Sequence, residues 1–538
     1  MSTPPPLEVV VAAPEGDWEP AVHSLLRQSL PPAGITVVGP AEGTDARVRF
    51  PPTGITVIGP ADGTDARVRF VPRVPEAVAA ACVEAARDAR TPHVAFLHGR
   101  DEALPDWLRQ LAHAAATGAG LVECGLLRLR PDGLVDGITI PPAPPGLVTS
   151  GYAVRRDLLT TGGGSAAHVT LPALLIRHHA DAARTAATGP VRVNTTATTG
   201  TPRANTTAAT GTPRIDATPA ARAEVLRGTR LTGPTPGTPL PMEPPEPPEP
   251  RPHSTPNLIS VVIPVRNGAR TLPDQLRALA AQTYTGPWEV LVVDNGSTDA
   301  TRDVAENARS SLPELRVIDA ADQPGESRAR NRGVASARGD FIAFCDADDQ
   351  ADPGWLAALA RAARHADLLG GSLDSSVLSP AHIDEQPQPM TQQPDFLPFA
   401  RGANCAAWKD VLTTIGGWDE RYRAGGEDMD LSWRAHLCGY RVRYVPDARM
   451  HYRLRDELSA LARQKWNYGK SGARLYAAYQ NAGFERRAGR VVLANWSWLL
   501  LHTPDLLHSP ARRRRWIRYT ARLAGFLAGS IQQGVRYL

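Results

Sequence analysis

The stretch Arg338-Gly339-Asp340-Phe341-Ile342-Ala343-Phe344-Cys345-Asp346-Ala347-Asp348-Asp349-Gln350-Ala351-Asp352 decides how the rest of the chain is read. Phe341 to Cys345 is a short apolar run with aromatic residues, preceded by Gly339 and followed by acids, the pattern of a buried strand. Three carboxylates, Asp346, Asp348 and Asp349, crowd its C-terminal end. Side chains two apart in an extended chain share a face, so Asp346 and Asp348 are expected to point together. Like charges that close resist ionising beside one another. A divalent cation removes the conflict, and hard oxygen ligands suit Mn2+ or Mg2+.

Strand–helix alternation surrounds this stretch. Leu258 to Val265, L-I-S-V-V-I-P-V, is a continuous β-branched run typical of a central parallel strand. Arg266-Asn267-Gly268 turns it, and Leu272 to Gln282 has helical apolar spacing. Trp288 to Val293 is a second strand ending at Asp294, and Arg316 to Asp319 a third. The expected fold is α/β, with a mostly parallel central sheet and flanking helices. Ligands bind such sheets beyond the carboxyl ends of the strands. Pro264, Arg266, Asp294 and Asp346 to Asp349 sit at such ends and should converge on one crevice.

The motifs V-V-I-P-V-R-N, V-V-D-N-G-S-T-D, S-R-A-R-N-R-G, F-C-D-A-D-D, G-G-W-D and G-G-E-D-M-D-L-S-W-R occur in this order between Leu258 and Tyr452. As a set they make this region resemble a family 2 glycosyltransferase of the A-type fold. The resemblance implies a nucleotide-diphosphate sugar donor and an inverting, single-displacement transfer. It places Asp294 at the base or ribose and Arg328 or Arg330 at the diphosphate. Asp346 would contact ribose or metal, Asp348 would ligate the metal, and His451 would reach back toward metal or diphosphate. Asp428 would be the general base and Glu427 would orient substrate. A helix N-terminus lowers a carboxylate's pKa, so Asp428 is expected to be ionised at neutral pH. Two departures stand out: Arg266 replaces an aromatic residue that often stacks on the nucleotide, and no Q-x-x-R-W signature of processive synthases is present. One sugar, or a few, per acceptor is therefore expected.

The N-terminal half carries its own repeats. Pro31 to Phe50 recurs as Pro51 to Phe70, differing only at Ala33/Thr53, Val38/Ile58 and Glu42/Asp62. One copy is expected in a sheet and the other as an edge hairpin or a bulged loop. His93 to Leu108 aligns without a gap on Phe341 to Leu356, and Ala153 to Gly163 matches Ala406 to Gly417 with one residue missing. The chain thus reads as two copies of one A-type fold, with His98 and Arg100 standing where Asp346 and Asp348 stand. A guanidinium has no acceptor and cannot ligate a cation, so the first copy has lost its metal site. The expected organisation is a degenerate domain over 1–190, a Thr/Pro-rich linker over 191–256, a catalytic domain over 257–452 and a basic amphipathic helical tail over 453–538.

Composition adds bounds. With 538 residues the chain exceeds one core, and its 50 prolines favour linkers. Five cysteines without a C-x-x-C fit a reducing compartment, and M-S-T-P-P-P-L-E does not look like a signal peptide. Residues 453–538 hold sixteen Lys/Arg against four Asp/Glu, whereas the whole chain is only +4. Tryptophans beside Arg512 to Arg515 suit an anionic bilayer surface touched by 486–538. The resulting expectation is a cytoplasmic enzyme, peripheral on the inner face of the plasma membrane, acting on a glycan or lipid-linked acceptor in envelope synthesis. No nucleic-acid-binding fold is visible. The rivals are an inactive sugar-nucleotide-binding or scaffolding protein and a sugar nucleotidyltransferase. Intact acids argue against the first, and the lack of a glycine-rich, lysine-containing loop after the first strand argues against the second.

Overall fold

The computed structural model of the chain describes residues 255–385, 387–390 and 396–537, separate segments between residues 7 and 179, and residues 231–232. The expected linker, apart from residues 231–232 and 255–256, and Arg100 lie outside the described residues. Two compact units are present, and the second holds residues 241–538.

Elements are numbered here within the second unit. Its strands are β1 (Ile259–Val265), β2 (Trp288–Asp294), β3 (Leu315–Asp319), β4 (Phe341–Cys345), β5 (Gln350–Ala351), β6 (Leu368–Asp374), β7 (Asn404–Trp408) and β8 (Val442–His451). They form one sheet in the order β3-β2-β1-β4-β7-β6-β8-β5. Pairing is parallel from β3 to β4 and antiparallel at β7, so the α/β expectation holds for this unit. Every residue of β1 and β4 is buried, which is why both read as unbroken apolar runs. Ser260 is the polar exception in β1: its hydroxyl donates to Glu289 Oε1 at 2.7 Å, and Arg316 donates to Glu289 Oε2 at the same distance.

Helices cover the sheet. α1 (Leu272–Ala280) follows β1, α2 (Thr301–Asn307) follows β2 and α3 (Glu326–Ser336) precedes β4. Next come α4 (Trp355–Ala362), α5 (Lys409–Thr414) and α6 (Glu427–Leu437). Phe341 meets Trp408 edge-on at 5.3 Å and Phe344 meets Trp418 at 5.2 Å, locking β4 to its antiparallel neighbour and the turn beyond. Asn404 accepts from Trp355 Nε1 and donates to the carbonyls of Ser372 and Ala448, each at 2.8 Å, so β6, β7, β8 and α4 share one polar pin.

The C-terminal residues are helical: α7 (Leu458–Tyr479), α8 (Gly489–Leu501) and α9 (Pro510–Gln533). α7 packs against α9 through glycines, since a Cβ on Gly469 or Gly525 would strike the backbone of the other helix. Among the described residues no helix is long and apolar enough to cross a membrane.

In the first unit, Glu8–Ala12 lies parallel between Gly34–Gly39 and His93–His98. His93–His98 is antiparallel to Tyr152–Arg155, which in turn is antiparallel to Leu121–Leu129. This order and these directions match β2-β1-β4-β7-β6. Both copies of the tandem repeat enter the sheet: Gly34–Gly39 comes from the first, and the edge pair Thr56–Val57 with Arg67–Pro72 from the second.

Close helix–sheet packing gives a direct test. A Cβ on Gly333 in α3 would run into Val262 and Val293, whereas one on Gly489 would meet nothing within 4 Å. Gly333→Ala should lower unfolding free energy by roughly 1–3 kcal/mol through overpacking. Gly489→Ala should be neutral or raise it by up to about 1 kcal/mol through helix propensity. Denaturant titration of the two variants checks the contrast.

Candidate active site

The ends of β1, β2 and β4 open on the same side of the sheet. Pro264 is paired with Val293 inside it, and Arg266, just beyond β1, is exposed. Asn267 takes a left-handed φ of 54°, its N–H donates to Ser297 Oγ at 2.9 Å and its side-chain oxygen accepts from Thr298 N–H at 2.8 Å. That clamp joins the loops after β1 and β2. Asp294 is 5% exposed at the end of β2; one oxygen accepts from Ser297 N–H at 2.9 Å and the other lies 3.4 Å from Arg302.

Three carboxylates follow β4. Oxygens of Asp346, Asp348 and Asp349 lie within 4.8 Å of one another. The strand ends at Cys345 and the chain turns, so the two-residue alternation does not extend past that residue. Asp349 therefore joins Asp346 and Asp348, which alternation alone would not place together. Asp349 Oδ1 accepts from Arg453 N–H at 2.8 Å, while its buried Oδ2 has no partner. Burial, then the neighbouring Asp346 and Asp348, holds the Asp349 carboxyl well above its ordinary range. Burial and the nearby Glu326 push Asp346 up to about 7. Asp348 is paired with Arg455 at 2.8 Å. His451 is the last residue of β8, a strand longer than the sequence suggests, and lies opposite both Gln350 and Asp374. Its Nδ1 is buried without a partner. An acid cluster with an orphaned, buried oxygen fits a divalent cation.

The two arginines of S-R-A-R-N part company. Arg328 is held by Asp322 at 2.6 Å and Glu420 at 3.4 Å. Arg330 is 1% exposed, stacks on Trp418 at 4.5 Å and meets Asp346 at 3.2 Å, Glu427 at 3.5 Å and Glu326. It thereby links the strand-end acids to the start of α6. There Gly425 and Gly426 adopt φ of 106° and 91°, and a Cβ on Gly425 would strike the Tyr468 ring of α7. Asp428 Oδ1 accepts from Met429 N–H at 2.8 Å and Oδ2 from Gly402 N–H at 3.4 Å. Burial raises its pKa, opposing the lowering expected from the helix terminus; desolvation is the larger effect here. Burial, then the charges of Asp428 and Glu326, pushes Glu427 up to about 8.

Asp349, Arg455 and Tyr468 enter the site without having been assigned roles from sequence. Arg455 and Tyr468 lie beyond Tyr452, where the motif set ends.

The chain matches the family model "Glycosyl transferase family 2" over residues 260–408 and "Glycosyl transferase family group 2" over residues 381–528. It is 30% identical over 202 residues to glycosyltransferase AglE of Haloferax volcanii, covering 36% of this chain and 66% of that one. It is 30% identical to the pre-mycofactocin glycosyltransferase of Mycobacterium tuberculosis over 42% of this chain and 49% of the relative. Succinoglycan biosynthesis protein ExoM of Rhizobium meliloti is 28% identical over 48% of this chain and 88% of its own length. The chain spans about half to two thirds of the first curated relatives it matches. Among solved structures, the mannosyltransferase PcManGT of Pyrobaculum calidifontis with GDP-Man and Mn2+ aligns with a TM-score of 0.38 and 18% identity, over 51% of this chain and 87% of that one.

A pH dependence follows from Glu427. Its carboxyl is raised from the ordinary 4.5 to about 8, so its contribution to stability is full below 4.5 and is lost as pH rises through 8. In chelator, unfolding free energy should fall across that window by roughly 1.4 kcal/mol per pH unit at the steepest, as order of magnitude. Glu427→Gln, which stays neutral, should flatten the decline in denaturant titrations run at successive pH values.

Proposed function

We propose that the C-terminal half of this chain, a family 2 glycosyltransferase domain, moves a sugar from a nucleotide-diphosphate donor to a hydroxyl acceptor with inversion. The observation that carries this is the tie made by Arg330 between Asp346 and Glu427. It sets an acid cluster suited to a diphosphate-bound cation beside the start of the helix that also carries Asp428, the acid suited to proton transfer.

Asp346, Asp348 and Asp349 would hold Mn2+ or Mg2+, with His451 at the margin. The ion, when bound, offsets the charge that builds on the leaving diphosphate. Asp294, with Pro264 and Arg266 at the adjoining strand end, would seat the nucleoside. Arg455 neutralises Asp348 at 2.8 Å and has a half-exposed side chain, so it is free to swing onto a donor phosphate. Asp428 accepts the acceptor hydroxyl's proton as that oxygen bonds to the anomeric carbon and the anomeric carbon–phosphate oxygen bond breaks. A raised pKa suits the role, because a base works best when its pKa lies near the working pH. Glu427, fixed by Arg330, orients the sugar or acceptor.

The first unit serves as a degenerate copy: its strands repeat the catalytic order, and half-buried His98 stands where the second copy has Asp346. The acceptor is a glycan or lipid-linked molecule of the cell envelope, met at the cytoplasmic face. α8 and the turn after it expose Leu493, Leu500, Leu501 and Leu507 at 69%, 74%, 76% and 89%. Arg512, Arg513 and Arg515 follow on exposed positions. Leucines next to arginines suit the headgroup region of an anionic bilayer.

Release of nucleoside diphosphate from a panel of sugar nucleotides, with Mn2+, Mg2+ or chelator, tests the reaction. One donor should be turned over only with metal, and Asp348→Ala and Asp428→Asn should each lower the rate by at least about 100-fold. Undiminished turnover in chelator or in Asp428→Asn would refute the assignment. For the tail, the full chain should sediment with vesicles containing anionic lipid, and Leu500→Asp with Leu501→Asp should release it by removing buried apolar area.

A further inference from the structure

A short strap, residues 452–457, joins β8 to α7 and belongs to neither. Its two arginines attend the acid cluster. Arg453 donates from its backbone N–H to Asp349 Oδ1 at 2.8 Å and from Nε to the Asp348 carbonyl at 2.9 Å. Arg455 Nη1 pairs with Asp348 Oδ2 at 2.8 Å. The strap is also bonded to the turn Pro380–Glu385 and the residue before it. Leu454 N–H donates to Ser379 Oγ at 2.9 Å, and Asp456 Oδ1 lies 3.4 Å from His382 Nε2.

Arg514, near the start of α9, holds the strap and that turn together. Its Nη1 donates to the Asp456 carbonyl at 3.1 Å and its Nε to Glu385 Oε1 at 2.8 Å. A grasp on a main-chain carbonyl fixes the path of the strap itself. Arg512, Arg513 and Arg515 are exposed, whereas Arg514 is 4% exposed and its Nη2 is buried without a partner. Glu385 is shared with Arg518 at 3.1 Å. Burying a charge against one shared carboxylate is costly, so stability alone does not account for the placement.

We propose that Arg514 is a positioning residue for the cation and diphosphate site. It acts through the strap, so the start of α9 sets how Arg453 and Arg455 meet Asp348 and Asp349. Two nitrogens of one rigid fork reach the turn and the strap at once, a geometry that a lysine does not reproduce. The assignment rests on the glycosyltransferase reading and adds a residue 159 positions or more beyond the acids it serves.

Two affinities of the full chain test it: Mn2+ alone, followed by paramagnetic resonance of the free ion, and Mn2+ with each of UDP, GDP, dTDP and ADP, followed by calorimetry. Arg514→Gln should weaken the bound nucleoside diphosphate about tenfold, as loss of a charge-assisted contact at the end of the strap requires. Affinity for Mn2+ alone should hold or rise up to about threefold, because Arg455 is no longer kept on Asp348. Arg455→Gln should reproduce both effects, and adding Arg514→Gln to it should cost less than about threefold more, the mark of two residues acting in one chain of contacts. Arg518→Gln loses a contact with Glu385 but none with the strap, and should leave both affinities within about twofold. Unchanged affinities in Arg514→Gln, additive losses in the double variant, an equal loss in Arg518→Gln, or a joint fall of both affinities in Arg514→Gln would each overturn the proposal. Absence of binding of every nucleoside diphosphate by the unsubstituted chain would instead defeat the glycosyltransferase reading itself.

Discussion

A guanidinium keeps its charge at any pH a protein meets, so burying Arg330 at 1% exposure commits the fold to surrounding it with carboxylates. Glu326, Asp346 and Glu427 meet that demand from α3, from the turn after β4 and from the first residue of α6. Trp418 covers one face of the ion, and Gly402 approaches so closely that a Cβ there would lie 2.8 Å from Arg330 Nη2. Burial is the main reason that Asp346 and Glu427 both resist ionisation; neighbouring acids add to it and the single cation Arg330 opposes it. A cation bound at the strand-end acids would add positive charge beside Asp346, one of the three acids that Arg330 holds.

What could be read from the sequence depended on where regular structure stops. β1 and β4 were legible because both are buried on both faces, which leaves no polar position except Ser260 to interrupt the run. Asp294, Asp346, Asp348, Asp428 and Glu427 were legible because they sit at element ends, where a side chain can reach a ligand. Asp349 was placed with them at the strand end but given no ligand role, because alternation, which loses its meaning once the chain turns after Cys345, grouped only Asp346 with Asp348. The protonation bias of Asp428 was misjudged for a different reason: a helix terminus is visible in sequence, but the burial that outweighs it comes from tertiary packing. The last residues of β8, P-D-A-R-M-H, carry no strand signature; Arg449, Met450 and His451 among them pair with β6 beyond a register shift between Gly371 and Ser372. His451 is thereby set opposite Gln350 and Asp374 by pairing that no local pattern records.

The C-terminal helices contribute to the site more than their basic composition suggests. Arg434 in α6 is fully buried, pairs with Asp430 and donates to the Gly417 carbonyl at 2.8 Å. Asp430 also accepts from the Tyr479 hydroxyl of α7 at 2.7 Å. Trp433 packs on Tyr479 and Phe484 at 5.1 Å and 5.0 Å. The helix that begins with Glu427 and Asp428 is therefore fastened along its length by α7, and the Gly425–Tyr468 contact fixes its start. The basic amphipathic tail is thus part of the scaffold for the helix that begins with Glu427 and Asp428.

Composition assigns α7 and α8 opposite fates from those the structure gives them. α7 carries Arg463, Lys465, Lys470 and Arg474, yet buries Leu461, Ala473, Leu475 and Tyr479 along one stripe. α8 is almost wholly apolar, yet buries only Leu499. Helical periodicity resolves the contrast: a charged helix can hide one face, whereas a helix apolar all round must leave most of its surface uncovered when it packs on one side. Trp498 is held by His502 at 4.3 Å and Tyr519 at 4.7 Å with Arg515 above it at 5.2 Å, so α8 has a defined inner side. Its outer leucines are then the surface that water disfavours most, and covering it would place the arginines of α9 at the rim of whatever covers it.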